Sequence, residues 1–395
     1  MISVAEATSR IVAAFGAMPP EAVPLADAAG RVLAQDAIAA ADQPPAPVSS
    51  MDGYAVRAAD AQAGATLKVV GTAPAGRPWP GAVKSGEAVR IFTGGAVPRG
   101  ADAIVIQEDA GARDGAVRIH AAAIAGKHIR VAGLDFRHGQ TLAPAGHRLT
   151  ARDLSLLAAG DVARVDVRRK PRVAFVATGD ELSRPGETRK PGGIVASSGY
   201  GLAAMIDAWG GHARDLGILQ DSEEAVGSLP GLAEGADLIV TLGGASVGDH
   251  DLVQRALGPK GFVLDFWKIA LRPGKPLIFG RLGATPLLGL PGNPVSTLVC
   301  ARLFLKPAIA AMLGARAQEP PLGARLSRDL PANDGRQDYV RAKIEYRDGE
   351  PWAEPFAVQD SSMLSTLAAA DALIVRPPHA PAAAPGTRVD ILLLE

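Results

Sequence analysis

Leu238-Ile-Val-Thr-Leu-Gly-Gly-Ala-Ser-Val-Gly-Asp249 reads as a short apolar strand, a glycine-rich turn and the start of a helix. An apolar run without alternation fits a strand covered on both faces. The adjacent glycines let the backbone approach a ligand closely, and the turn's amides with the helix N-terminus favour an anion, such as a phosphorylated small molecule. A connection that needs only positive φ angles has the same composition. The rhythm continues on both sides of this stretch. Val173–Ala177, Ala213–Leu219 and Asp237–Leu242 are strand-like, and Ser198–Trp209, Ser222–Ala233 and Asp249–Leu257 are helical. The alternation predicts a mostly parallel sheet with helices on both faces, spanning 171–318. Further strands are expected at Val263–Ala270, Pro276–Arg281 and Thr285–Leu290, then a long helix from Pro294 to Leu313.

Outside this domain the texture changes. Val4, Ala7, Ile11 and Phe15 have helical spacing, closed by Gly16, and Leu25 to Ile38 is expected to form a second helix. Gln43-Pro-Pro-Ala-Pro-Val-Ser-Ser50 reads as an extended linker. Short β-like runs then alternate with Gly/Pro turns: Leu67–Val70, Ala88–Phe92, Ala103–Ile106 and Val117–His120. A capped helix at Thr150–Gly160 and a strand at Val162–Val167 are expected to return to the N-terminal segment, which makes the β-rich unit an insertion. The expected division is 1–46 with 143–170, an inserted β-rich domain 47–142, the α/β domain 171–318, and a second all-β unit 319–395 with strands at Tyr339–Tyr346, Ala372–Val375 and Arg388–Leu394.

Composition narrows the function classes. The 395 residues are 48% apolar and 21% charged, and 41 basic residues balance 41 acidic ones. A net charge of zero gives no sequence-wide case for nucleic acid or an anionic membrane surface. No apolar run approaches the roughly 18 residues that span a bilayer. The start, Met1-Ile-Ser-Val-Ala-Glu-Ala-Thr8, lacks a basic segment followed by an apolar core, so a cytoplasmic protein without a signal peptide is expected. Cys300 is the single cysteine, and the seven histidines show no HExxH or HxH spacing, which argues against zinc. A metal here would be held by oxygens, and magnesium is the natural candidate.

Ligands of open α/β sheets sit beyond the carboxyl ends of the strands. Ala177-Thr-Gly-Asp-Glu-Leu182 places adjacent carboxylates, Asp180 and Glu181, at such an end, where they suit a metal, proton handling or a helix cap. Lys268, Arg272 and Lys275 surround a Pro-Gly turn, as either an oxyanion grip or a solvated basic loop. Leu290-Pro-Gly-Asn-Pro-Val-Ser296 precedes a helix, and Asn293 or Ser296 is placed to cap it. In the β-rich unit, Ser49-Ser-Met-Asp-Gly-Tyr-Ala55, Arg90-Ile-Phe-Thr-Gly-Gly95 and Arg130-Val-Ala-Gly-Leu-Asp135 read as turns with polar groups. Gly199-Tyr-Gly-Leu-Ala-Ala204 fits GxGxxA, but no strand directly precedes it, so a dinucleotide site is not expected. No GxxxxGK[ST] motif is present.

Together these segments resemble the molybdopterin molybdenumtransferases, the family that includes the E domain of gephyrin. The resemblance runs through nearly the whole chain. It is carried by Ser50-Met-Asp-Gly-Tyr-Ala55, Arg90-Ile-Phe-Thr-Gly94, Thr178-Gly-Asp-Glu-Leu182, Gly243-Gly-Ala-Ser-Val-Gly248, Arg272-Pro-Gly-Lys-Pro276 and Leu290-Pro-Gly-Asn-Pro294. It implies a multidomain α/β fold: a three-layer α/β molybdopterin-binding domain, an elongated N-terminal α+β region, an inserted β-rich domain and a small C-terminal β-barrel-like domain. It implies insertion of molybdate into adenylated molybdopterin with release of AMP, helped by Mg2+. It also implies a homodimer, with each site formed by the α/β domain of one subunit and the β-rich domain of the other, and contact with other proteins of molybdenum-cofactor biosynthesis.

By motif, the catalytic positions of the family fall on Asp52, Thr93, Asp135, Glu181, Asp221 and Asp251, with Glu181, Asp221 and Asp251 as metal ligands. The binding positions fall on Arg130, Gly243, Gly244, Ser246, Gly248, Lys268, Arg272, Lys275, Pro291, Asn293, Pro294, Arg341 and Ser362. Two departures stand out. Arg272 occupies a place where lysine is expected, and Ala245 one where valine is usual. A scaffold role like that of gephyrin's homologous domain is the alternative from another class. The related adenylyltransferase shares the α/β domain but does not account for the β-rich insertion.

Overall fold

The computed structural model describes residues 1–243, 247–315 and 320–394, and only the backbone at 247–251. The chain divides into two compact units, one made of Met1–Glu21 with Arg168–Glu395 and the other of Ala22–Val167.

The α/β sheet of the first unit has six strands in the order His212–Leu219, Arg172–Thr178, Leu238–Leu242, Thr285–Leu290, Pro276–Leu282, Phe262–Lys268. The first four run parallel; Pro276–Leu282 runs against them, and Phe262–Lys268, antiparallel to it, runs again in their direction, a mostly parallel sheet as the strand–helix alternation predicts. Leu238–Leu242 is buried along its length, so its unbroken apolar run marks a central strand. Ser222 caps the next helix by accepting from the Ala225 N–H, at 3.2 Å. The expected single helix over 222–233 is two short ones, Glu223–Gly227 and Leu229–Leu232, separated by Ser228 and followed by Pro230 in the second.

Pro294–Met312 is a continuous helical stretch with a π-helical turn at Ala301–Leu305. It corrects the reading that no apolar run nears membrane-spanning length. Its 19 residues have a mean hydropathy of 1.5, but 78% of that stretch is buried inside the protein, so it is a core helix. The N-terminal helix Val4–Ala13, capped by Ser3, belongs to the same unit, and the Ile2 N–H donates to the Lys268 carbonyl at 3.2 Å.

C-terminal to this domain, Gln337–Arg347, Glu350–Pro355, Leu322–Leu326, Arg388–Leu393 and Ala372–Arg376 pair in that order, and the last returns to the first, closing a small barrel. The sequence pattern misses Leu322–Leu326, broken by Gly323 and Arg325, and Glu350–Pro355, whose prolines and charges mask the alternation. A further rung joins the barrel to the α/β domain, with Leu271–Arg272 running parallel to Gln337–Asp338.

In the second unit, the β-rich sheet orders Ala103–Ile106, Gly53–Val56, Glu87–Ile91, Thr66–Ala73, Ala116–Ile119 and Ala110–Arg113. Segments on either side of this sheet in the sequence share a separate core formed by Ala28, Leu33, Ala37, Ala143, Leu149, Leu157, Val165 and Val167. The capped helix is Ala151–Ala159, with Thr150 and Asp153 forming a reciprocal capping box. The helix expected over 25–38 does not form. Leu25–Asp27 is one short 3-10 turn, and Val32, Leu33 and Ala37–Ile38 make β contacts with Arg148, Val167 and Thr141–Ala143. Apolar spacing there serves bridges to distant strands, so tertiary pairing overrides the helical pattern.

Candidate active site

Beyond the carboxyl ends of Arg172–Thr178, Leu238–Leu242 and Thr285–Leu290 lies a cavity of about 950 Å³. It opens between the α/β domain and the barrel, at the strand ends where open α/β sheets bind their ligands. Glu181, Asp221, Gly243, Arg272, Lys275, Pro291, Asn293, Pro294 and Ser362 all line it. Segments far apart in the sequence therefore converge on one space whose lining holds both cations and carboxylates.

Local structure explains each placement. Gly243 adopts φ +93°, and a Cβ there would come within 2.9 Å of the Thr178 carbonyl oxygen, so the strand end demands glycine. Thr178 also lines the cavity, and its hydroxyl is buried without a hydrogen-bond partner among the described residues. Gly274 adopts φ +111°, and a Cβ there would lie 2.3 Å from the Cys300 sulfur, which fixes the turn between Arg272 and Lys275 against the core helix. Cys300 is fully buried, and burial pushes its thiol far up.

The Asn293 side chain sits at the start of Pro294–Cys300 but makes no capping bond. It donates instead to the Ser361 hydroxyl at 3.0 Å, tying the helix start to the barrel loop. That loop is itself held from behind by Arg341. Arg341 is 2% exposed and does not line the cavity. Its Nε donates to Gln359 Oε1 at 3.1 Å and its NH1 to the Asp360 carbonyl at 2.9 Å. Asp360 accepts from the Ser362 N–H (2.8 Å) and hydroxyl (2.6 Å), bonds that hold its carboxyl below the usual range. Lys268 also lies off the lining, with its ammonium 3.8 Å from the centre of the Trp267 ring. Gly244 and Ser246 lie outside the described residues, as do the Asp251 side chain and the surroundings of Gly248.

Arg336, Gln359 and Asp360 line the cavity without having been singled out in the sequence. They have no motif spacing relative to the α/β turns, and only closure of the barrel brings them there.

The β-rich unit carries the remaining positions. Asp52 accepts from the Thr93 N–H at 2.7 Å and from its hydroxyl at 2.8 Å, and these bonds hold the Asp52 carboxyl below its ordinary value. Arg90 lies 5.0 Å from the ring centres of both Tyr54 and Phe92 and donates to Gln107 Oε1 at 2.8 Å. Gly53 has no room for a Cβ, which would fall 2.0 Å from the Val105 carbonyl oxygen. Arg130 and Asp135 line a second cavity of about 570 Å³ with Gly94 and the proline run 43–46.

Fold and cavity define a multidomain α/β protein whose strand ends present cations and carboxylates to one ligand space. Family models described as the MoeA N-terminal region (domain I and II), a probable molybdopterin binding domain and the MoeA C-terminal region (domain IV) match residues 2–160, 174–311 and 323–394. The chain is 35% identical over 356 residues to the molybdopterin molybdenumtransferase of Haemophilus influenzae, covering 89% of this chain and 88% of that one. It is 35% identical over 404 residues to molybdopterin molybdenumtransferase 2 of Mycobacterium tuberculosis, covering 99% of each. The solved molybdopterin biosynthesis MoeA protein of Pyrococcus horikoshii superposes with a TM-score of 0.86 at 29% identity, over 100% of both chains. The chain belongs to the molybdopterin molybdenumtransferase (MoeA) family.

Proposed function

We propose that this enzyme inserts molybdate into adenylated molybdopterin and releases AMP. The observation that supports the reading most directly is the meeting of Glu181, Asp221, Gly243, Arg272, Lys275, Asn293 and Ser362 around one cavity. Releasing AMP breaks a phosphoanhydride, so negative charge grows on the leaving phosphate. Lys275 and Arg272 are placed to hold phosphate or molybdate oxygens by charge-assisted bonds. The Thr178 hydroxyl, buried without a partner among the described residues, offers a further polar contact.

Magnesium binds through one or two carboxylates together with water and substrate phosphates. Glu181 and Asp221, which line the same cavity, fit that need. Among the described residues no group of three His, Cys, Asp or Glu stands together to hold a metal ion. When bound, the ion would offset charge on the phosphates.

The acting form in this proposal is a cytoplasmic homodimer in contact with other cofactor-biosynthesis proteins. Its domains are divided as 1–46 with 143–170, 47–142, 171–318 and 319–395, and Asp52, Thr93, Arg130 and Asp135 contribute to the reaction.

The test is AMP release from adenylated molybdopterin with magnesium, with and without molybdate. Wild-type protein should release AMP only when molybdate is added. Glu181→Ala should abolish that release while leaving the circular dichroism spectrum unchanged. Absence of any molybdate-dependent AMP would defeat the reading.

A further inference from the structure

Arg272 stands where relatives are expected to carry lysine, and its surroundings show what the guanidinium gains. Its NH1 donates to Asp338 Oδ2 at 3.0 Å, and its NH2 to Asp334 Oδ2. Both carboxylates come from the barrel segment, more than sixty positions away in the sequence (separations of 66 and 62). The backbone fixes the same register, because Arg272 pairs with Asp338 on a parallel rung and the Gln337 N–H donates to the Ala270 carbonyl at 2.9 Å. Asp334 in turn accepts from Arg336 NH2 at 2.7 Å, and Arg336 lines the cavity beside Arg272. Asp338 is only 13% exposed in its side chain, and its Oδ1 is buried without a partner among the described residues, so Arg272 is its main compensation there.

A lysine ammonium is a compact point charge on a flexible stem and cannot bridge two carboxylates in a fixed plane. A guanidinium carries more N–H donors than two such contacts use, so a fork held from behind still has donors for an oxyanion. We propose that Asp338 and Asp334 are positioning residues that hold the Arg272 fork at the cavity wall, so that the barrel sets how tightly the α/β domain grips a tetrahedral oxyanion such as molybdate. This rests on the functional reading above for the identity of the oxyanion. Arg272 touches the ligand, and the two aspartates act through it.

The test compares Asp338→Asn and Asp334→Asn in the wild-type and Arg272→Lys backgrounds. Molybdate binding is read by calorimetry on the purified protein, and the molybdate dependence of AMP release is read in parallel. Each Asn variant should weaken molybdate binding and raise the KM for molybdate roughly tenfold, as loss of about 1.4 kcal/mol does, with kcat changed less than about twofold. In the Arg272→Lys background the same substitutions should have almost no further effect, because their effect passes through the guanidinium. Equal shifts in both backgrounds, or loss of kcat without a change in molybdate binding, overturn the proposal. If Asp338→Asn fails to fold, the more exposed Asp334 still decides the matter. A protein that binds molybdate with this dependence but releases no AMP retains the positioning role and loses the functional reading.

Discussion

Asp52 and Thr93 meet at the ends of neighbouring strands in one sheet, Gly53–Val56 and Glu87–Ile91, and two short hydrogen bonds join them directly. The large cavity is built the other way, from segments as distant as Thr178 and Leu364, with the turn at Gly274 set against Cys300 and the loop at Gln359–Asp360 held by Arg341. The first site rests on local strand pairing and the second on packing between a sheet, a core helix and a barrel. The difference teaches where each site is vulnerable. Removing a side chain in the first subtracts one interaction. Disturbing a supporting residue in the second moves several lining residues together.

The largest effect should come from Gly274→Ala. The new methyl would lie 2.3 Å from the Cys300 sulfur at a positive φ, so the turn carrying Arg272 and Lys275 must shift. A stability loss of roughly 1–3 kcal/mol from backbone strain alone is expected, with the clash added to it. Thermal unfolding and the KM for molybdate should both change, and unchanged values would break the account of the wall. Arg341→Ala comes next. It removes the side-chain donors to Gln359 and Asp360, leaving Gln359 its two bonds to the residue-341 backbone, at about 1.5–3 kcal/mol for a charged hydrogen-bonded group, and it should weaken molybdate response although Arg341 does not reach the cavity.

The β-rich unit should respond more locally. In Thr93→Val, Asp52 keeps the backbone bond and loses the hydroxyl one, so its carboxyl should titrate closer to the ordinary value while the unfolding midpoint barely moves. Carbon-detected NMR titration reads this, and a large drop in stability would show that the pair supports more than itself.

The smallest effect is a pH dependence at the Thr150–Asp153 capping box. Asp153 is lowered from its model-compound value of 3.8 to about 2, first by the Thr150 hydroxyl. A carboxyl depressed in the folded state stabilises fully above its unfolded value and loses that contribution as pH falls through the folded one. Stability should therefore decline between about pH 4 and pH 2, and Asp153→Asn should flatten that part of the curve in urea unfolding. An identical acid limb in the variant would remove Asp153 from the explanation.

Much of this was legible beforehand for identifiable reasons. Val173–Ala177 and Leu238–Leu242 are apolar throughout because they are central strands, so composition alone exposes them. Lys275 and Asn293 sit between a glycine and a proline, and Glu181 lies two residues after Gly179, in turns at strand ends that are visible in sequence. Residues 25–38 misled because apolar spacing does not say what the residues will pair with. Pro294–Met312 misled in the opposite sense, since its polar residues hide a helix apolar enough for a membrane yet buried in a protein core.

The sequence by itself determined the alternating strands and helices, the turns that must be glycine, and which residues carry charge beside them. Those properties are local, set by backbone sterics and the period of apolar side chains. Only the tertiary structure decided that Arg336, Gln359 and Asp360 complete the cavity, that Arg341 acts from behind it, and that Arg272 is clasped by Asp334 and Asp338. Those relations arise when the barrel closes and lays Gln337–Asp338 alongside Leu271–Arg272, a register that no spacing within the sequence encodes.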